Sequence, residues 1–272
     1  MKFKKIKPSI SFLILLIVIT SCSEKEVPYI SNEEQQLIIE TATGYLDSLP
    51  VTVTSEVCKR SAGGPNDFYS EGDYWWPDPE NPDGPYIRKD GQTNPENFVA
   101  HRLAMIRLSQ VVGMQTSAWL LTGDQKFAGA VGRHLGAWFI NPETRMNPSL
   151  NYAQAIKGRV EGRGIGIIDA IHLIEVARSV EILEQNNALP ESQVAAVKSW
   201  FSDFVTWLTT HPYGIDEMNT KNNHATCWVM QLGMFARLTE NEEVLELCRT
   251  RFKDVLLPNQ MGEDGSFPLE LE

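Results

Sequence analysis

Cations are in short supply in this chain. Its 272 residues carry 24 lysines and arginines against 35 aspartates and glutamates, a formal charge of −11. An acidic surface excludes nucleic acid as the partner, because phosphate binding needs a basic face. Cysteine is scarce too: there are four, with no CxxC pair and no Cys/His spacing of a zinc site. Past the first 22 residues only Cys58, Cys227 and Cys248 remain. That odd number permits one disulfide at most in an oxidising compartment. Cys227 and Cys248 fall on apolar helical faces and read as small core residues. No stretch alternates apolar and polar as a half-buried strand would. The one long apolar run, Ile10 to Ile19, broken only by Ser11, is too short for a comfortable membrane span.

That run follows Lys2, Lys4, Lys5 and Lys7 and precedes "ITSC", the pattern of a secretory leader. Cys22 sits where a bacterial lipoprotein carries its lipid, so residues 1–21 are expected to be a lipoprotein signal and residues 22–31 a polar tether. The expected location is the cell envelope, with Cys22 as the only attachment to a membrane. Without the leader, 20 cations face 35 carboxylates, a charge of −15. An acidic sugar remains a possible ligand if basic residues gather locally. Lys59, Arg60, Arg88, Lys89, Arg145, Lys157, Arg159 and Arg163 are the candidates. Residues 32–272 are long enough to bury one large core and are expected to form one domain.

Helical spacing of apolar residues dominates that domain. "NPENFVAHRLAMIRLSQVVGMQTSAWLLTG" is expected to open on Asn94 and Pro95 as cap and first turn. The next helix is expected to start from Asp124 after Gly123. The segments "AWLLTGDQKFAGAVGRHLGAWF" and "MFARLTENEEVLELCRTRFKDVL" share one plan: a helix ending in Leu-Thr, a polar turn and a second amphipathic helix. Such αα-hairpins in series make an open solenoid or a ring closed on itself.

Three stretches break the pattern. Ser61 to Tyr86 reads "SAGGPNDFYSEGDYWWPDPENPDGPY", Asn141 to Gly166 reads "NPETRMNPSLNYAQAIKGRVEGRGIG", and His211 to Trp228 reads "HPYGIDEMNTKNNHATCW". Polar loops on a rigid frame are where function resides. Tyr74, Trp75 and Trp76 either fold back as a plug or offer rings on which a pyranose stacks. The carboxylates around them, Asp73, Asp78, Glu80 and Asp83, do not have the spacing of an EF-hand calcium loop. In the second stretch Arg145, Asn151, Tyr152, Gln154, Arg159 and Arg163 supply forks and amides suited to a uronate carboxylate, or staple their own loop. In the third, Asn222, Asn223 and His224 open a helix, with Thr220 or Asn222 as cap. A helix N-terminus favours a carboxylate and the enolate-like charge formed when its α-carbon loses a proton. Asn223 and His224 either bind that carboxylate and take the proton, or serve as a helix cap and a packed polar residue. His134 and His172 read as structural, and His101 as more open.

Taken together, "GDYWWPDP", "TRMNPSLNYAQ" with "GRGIGIID", and "NNHATCW" resemble the alginate lyase superfamily of polysaccharide lyases, in family order from Ser61 onward. The resemblance implies an all-α fold, an α/α toroid built as an incomplete barrel of αα-hairpins with long polar loops at one mouth. It implies β-elimination at a uronate of alginate or glucuronan, with no metal or organic cofactor and an anionic polysaccharide as partner. Asn223 then matches the group that neutralises the C5 carboxylate and His224 the base. Tyr74, Trp75 and Trp76 match a lid over the sugar, and Asn151, Tyr152, Arg163 and Asn222 match residues of the cleft. In the family a segment like "DGSFPLELE" is followed by an Arg and a catalytic Tyr, so the chain is expected to be C-terminally truncated. Two other functions fit the residues. One is a glycan-binding lipoprotein without catalysis. The other is an α/α-toroid glycoside hydrolase using a carboxylate pair from Asp169, Glu175, Asp216 and Glu217.

Overall fold

The computed structural model describes residues 30–270. The leader, Cys22 and the tether through residue 29 lie outside the described residues. The chain is built mainly of helices: α1 (Asn32–Gly44), α2 (Ala100–Thr122), α3 (Gln125–Leu135), α4 (Leu173–Gln185), α5 (Glu191–Thr210), α6 (Pro212–Met218), α7 (Asn223–Leu238), α8 (Glu242–Thr250) and α9 (Leu257–Gln260). Four short strands interrupt them: β1 (Tyr69–Glu71), β2 (Trp75–Trp76), β3 (Ile87–Arg88) and β4 (Tyr152–Ala155).

Local chemistry sets several helix ends. Ser31 and Glu34 close a capping box at α1. Gly123, at φ +68°, ends α2, and Asp124 accepts the Lys126 N–H to begin α3. Asn94 does not start α2, which opens at Ala100 after an uncapped Val99. The Asn94 carboxamide instead donates to the Trp75 carbonyl and accepts from the Glu96 N–H. A short polar side chain offers the same bonds to a loop as to a helix end, so spacing alone misplaced this start.

Helices α2, α4 and α7 pack side by side as an inner row, backed by α3, α5 and α8. This is an α/α toroid architecture. Its core runs continuously through both layers, and Trp138, Trp228, Phe201, Phe204 and Phe235 are fully buried in it. Phe235 lies 5.1 Å from Phe201 and 5.7 Å from Phe204, ring centroid to centroid. Cys248 and Cys58 are buried, Cys227 is half-buried, and all three are free thiols.

Each of the three irregular stretches leads into an inner helix: the first into α2, the second into α4, the third into α7. They therefore emerge at one end of the toroid. The strands join them there. β1 of the first stretch runs parallel to β4 of the second, pairing Tyr69 with Tyr152 and Glu71 with Ala155. β2 and β3 form a small antiparallel ribbon inside the first stretch. The 3-10 turn Gly164–Ala170 packs on α6 of the third stretch. A Cβ on Gly164 would stand 2.9 Å from the Tyr213 carbonyl oxygen, so glycine permits this close approach.

Candidate active site

The three stretches enclose a cleft of about 480 Å³ lined by Asp73, Tyr74, Trp75, Arg88, Gln154, Arg163 and His224, with Ile165 and Ile168. His224 stands in the first turn of α7, whose cap is Asn222; the Asn222 side-chain oxygen accepts the His224 N–H. The His224 Nδ1–H donates to Glu217 Oε1 at 2.6 Å. Glu217 comes from α6, and its side chain is 1% exposed. An acidic acceptor on Nδ1 fixes the neutral ring as the Nδ1–H tautomer and leaves Nε2 with its lone pair free. The Glu217 hydrogen bond raises the basicity of His224 above that of an ordinary histidine, against the opposing effect of burial.

Arg163 forms the facing wall. Its Nε donates to the Gln154 carbonyl at 2.9 Å and its Nη2 to Gln154 Oε1 at 3.2 Å. Gln154 holds this geometry at φ +55°, a left-handed conformation uncommon for a residue with a side chain. Burial and the nearby Arg88 both lower the Arg163 pKa, although arginine remains a cation under any physiological condition. Beneath the cleft, Arg102 spans Asp73 at 3.0 Å and Asp169 at 3.2 Å. The Ser70 hydroxyl also donates to Asp169. Arg102 thus offsets the one carboxylate in the cleft wall, Asp73. Burial pushes the Asp169 carboxyl above its usual range despite Arg102.

Of the sequence candidates, Tyr74, Trp75, Arg88, Gln154, Arg163 and His224 line this cleft together. Asn222 acts as the cap beside them. Asn223 is exposed in the same turn, and its backbone N–H donates to Glu270 Oε1 at 2.6 Å. Trp76 lies outside the lining; its Nε1–H donates to the Gln92 carbonyl and Lys89 sits over its ring at 4.9 Å. Asn151 accepts the Trp207 Nε1–H at 3.0 Å. Tyr152 packs on the small cluster of Cys58, Tyr69 and Ala155. His101 is buried rather than open: its Nδ1 accepts the Tyr69 N–H and its Nε2 bonds the Glu56 carbonyl. The four carboxylates considered for hydrolysis do not form a facing pair across the cleft. Asp169 and Glu217 are buried in the bonds just described, while Glu175 and Asp216 are exposed and outside the lining.

The sequence offers Gln154 as an amide for a uronate, Glu217 as one of four carboxylates for hydrolysis and Asp73 as a carboxylate of the aromatic loop; the structure gives them other parts, Gln154 holding Arg163, Glu217 anchoring His224 and Asp73 pairing with Arg102. Each acts through another side chain, and neither its type nor its spacing marks that role.

The alginate lyase family model matches residues 52–272. The crystal structure of an alginate lyase from Bacteroides ovatus is 34% identical over 87% of this chain, with a TM-score of 0.81. The chain spans 63% of that protein's length. Alginate lyase A1-III from Sphingomonas species A1 aligns at 15% identity and a TM-score of 0.47, covering 84% of this chain and 60% of that one. Comparison with curated proteins finds no match.

Proposed function

We propose that this chain, which belongs to the alginate lyase family, cleaves a uronic-acid polysaccharide by β-elimination with His224 as the base. The observation that carries this reading is the convergence of His224 and Arg163 in one cleft beside Trp75, with Nδ1 of His224 anchored on Glu217. Arg163 is a fixed fork for the uronate carboxylate, and neutralising that carboxylate makes the C5 proton more acidic. Asn223 shares the first turn of α7 with His224, and the helix N-terminus there favours the same negative charge. Nε2 of His224 takes the C5 proton. The electron pair forms the C4–C5 double bond as the bond from C4 to the glycosidic oxygen breaks. That oxygen takes a proton from the Tyr74 hydroxyl or from water at the open side of the cleft. Trp75 supports the sugar face. Alginate and glucuronan both supply a uronate of this chemistry. The sequence-based placement in the cell envelope through Cys22 would set the enzyme where such polymers arrive from outside.

The test is incubation of the protein with polymannuronate, polyguluronate and glucuronan, following ultraviolet absorbance of the conjugated double bond. The expected result is a rise on at least one polymer that His224→Ala loses. Cleavage without new absorbance, or a rise that survives His224→Ala, would overturn the assignment.

A further inference from the structure

We infer that a second cavity, separated from the cleft by the stacked pair of Trp75 and Arg159, is a further uronate-binding subsite with Lys157 and Arg159 as its cations. It rests on the reading of the main cleft as a uronate site. The cavity measures about 390 Å³, and its wall includes Arg60, Tyr69, Lys157, Arg159 and Glu161. The Arg159 guanidinium lies 5.1 Å from the Trp75 ring centroid. Trp75 therefore faces the cleft on one side while Arg159 faces the second cavity on the other. Gln154 of the cleft and Ala155 of the cavity are consecutive residues of β4. A polymer leaving the cleft over Trp75 passes directly to this wall.

The charge distribution points the same way. In a chain with a marked excess of carboxylates, several cations around the fold are matched: Arg60 by Glu71, Arg102 by Asp73 and Asp169, and Lys198 by Glu184 and Glu240. Lys157 and Arg159 form no ion pair among the described residues, although Glu161 shares the cavity wall. Arg159 donates its Nε–H to the Tyr86 carbonyl at 2.6 Å, and no hydrogen bond of its two terminal nitrogens is found among the described residues. The Lys157 ammonium stands over the face of Tyr86, 5.6 Å from the ring centroid, and no hydrogen bond of it is found among the described residues. Both are held by the turn that the Ile156–Val160 bridge closes, where Gly158 sits at φ +73° with Pro85 against it. A rigid turn presenting two unmatched cations suits a carboxylate that repeats along a polymer.

The experiment measures binding of oligomannuronates of increasing length by calorimetry, at low and at high salt, with the full chain and with Lys157→Gln. This substitution removes the charge without removing a hydrogen bond that ties the fold. The expected result is a loss of about threefold to fivefold in affinity for long oligomers, the size of one exposed ion pair at low salt. Oligomers that fill the cleft alone should change less than twofold, and salt should erase the difference. A second variant, Arg159→Lys, keeps the charge but not the planar stack on Trp75; it should weaken long oligomers less than Arg159→Ala does. Equal loss for short and long oligomers, or no loss for either, would overturn the subsite. Binding with this length dependence but without a double-bond product would leave the subsite standing and refute the lyase reading. Cleavage with unaltered length dependence in Lys157→Gln would do the reverse.

Discussion

Replacing Glu217 by Gln tests the base assignment at a residue that touches no substrate. The side chain is 1% exposed and its oxygen lies 2.6 Å from His224 Nδ1, whose own side chain is 22% exposed. Solvent screening of this pair is therefore small. A hydrogen bond to a charged group contributes about 1.5–3 kcal/mol and one between neutral groups about 0.5–1.5 kcal/mol. Gln keeps the shape and an acceptor oxygen, so the loss is the difference, about 1–1.5 kcal/mol. That corresponds to about tenfold in kcat. The direction in pH follows from the same bond. His224 must be neutral to accept a proton, and Glu217 favours its charged form. The wild-type acidic limb therefore lies above the ordinary histidine value, and Glu217→Gln moves it to lower pH. Stability gives a second readout. Because the folded-state pKa of His224 is raised, the stability that Glu217 adds is full below the unfolded histidine value. It is lost as pH rises through the folded one. The wild type's advantage over Glu217→Gln should thus shrink from mildly acidic to alkaline pH in denaturant titrations. A variant with unchanged kcat, the same acidic limb and a pH-independent stability difference would refute the link between Glu217 and His224.

Arg163→Lys keeps one charge but cannot hold both oxygens of Gln154 and a substrate carboxylate, so kcat/KM on the polymer should fall about tenfold or more; a KM and kcat equal to wild type would contradict the carboxylate role. Asn222→Ala removes the cap of α7 and should cost about 1 kcal/mol in chemical denaturation, with kcat falling as the His224 turn loosens. Phe235→Ala empties a fully buried ring site and should cost about 3–5 kcal/mol. Trp75→Ala should weaken binding of every oligomer that enters the cleft, and unchanged affinity would exclude stacking on that ring. His101 is buried and accepts the Tyr69 N–H, and burial lowers its pKa. The unfolded chain then binds the proton first, so Tm should drop as pH falls below the ordinary histidine value, and less in His101→Asn than in wild type.

Helical periodicity, the Gly123–Asp124 junction and the Asn222 cap were legible in the sequence because each is a local event, settled within a turn or two of chain. The three irregular stretches were legible as functional for the same reason: no local pattern could bury their aromatics or use their amides. Short strands were not, since β1 pairs with β4 across more than one helix and neither strand is long enough to show a period. Nor could spacing tell that Asn151 would be held by Trp207, or that Trp75 would face the cleft while Trp76 bonds Gln92. Such choices depend on which wall a loop meets after the hairpins have packed. The sequence by itself determined the helical hairpins, the acidic charge and the family resemblance. The tertiary structure decided which groups meet at the mouth. Leading three separate stretches into neighbouring inner helices brings Arg163, Trp75 and His224 to one cleft, where the ring of His224 is anchored by the buried Glu217 carboxylate of its own stretch.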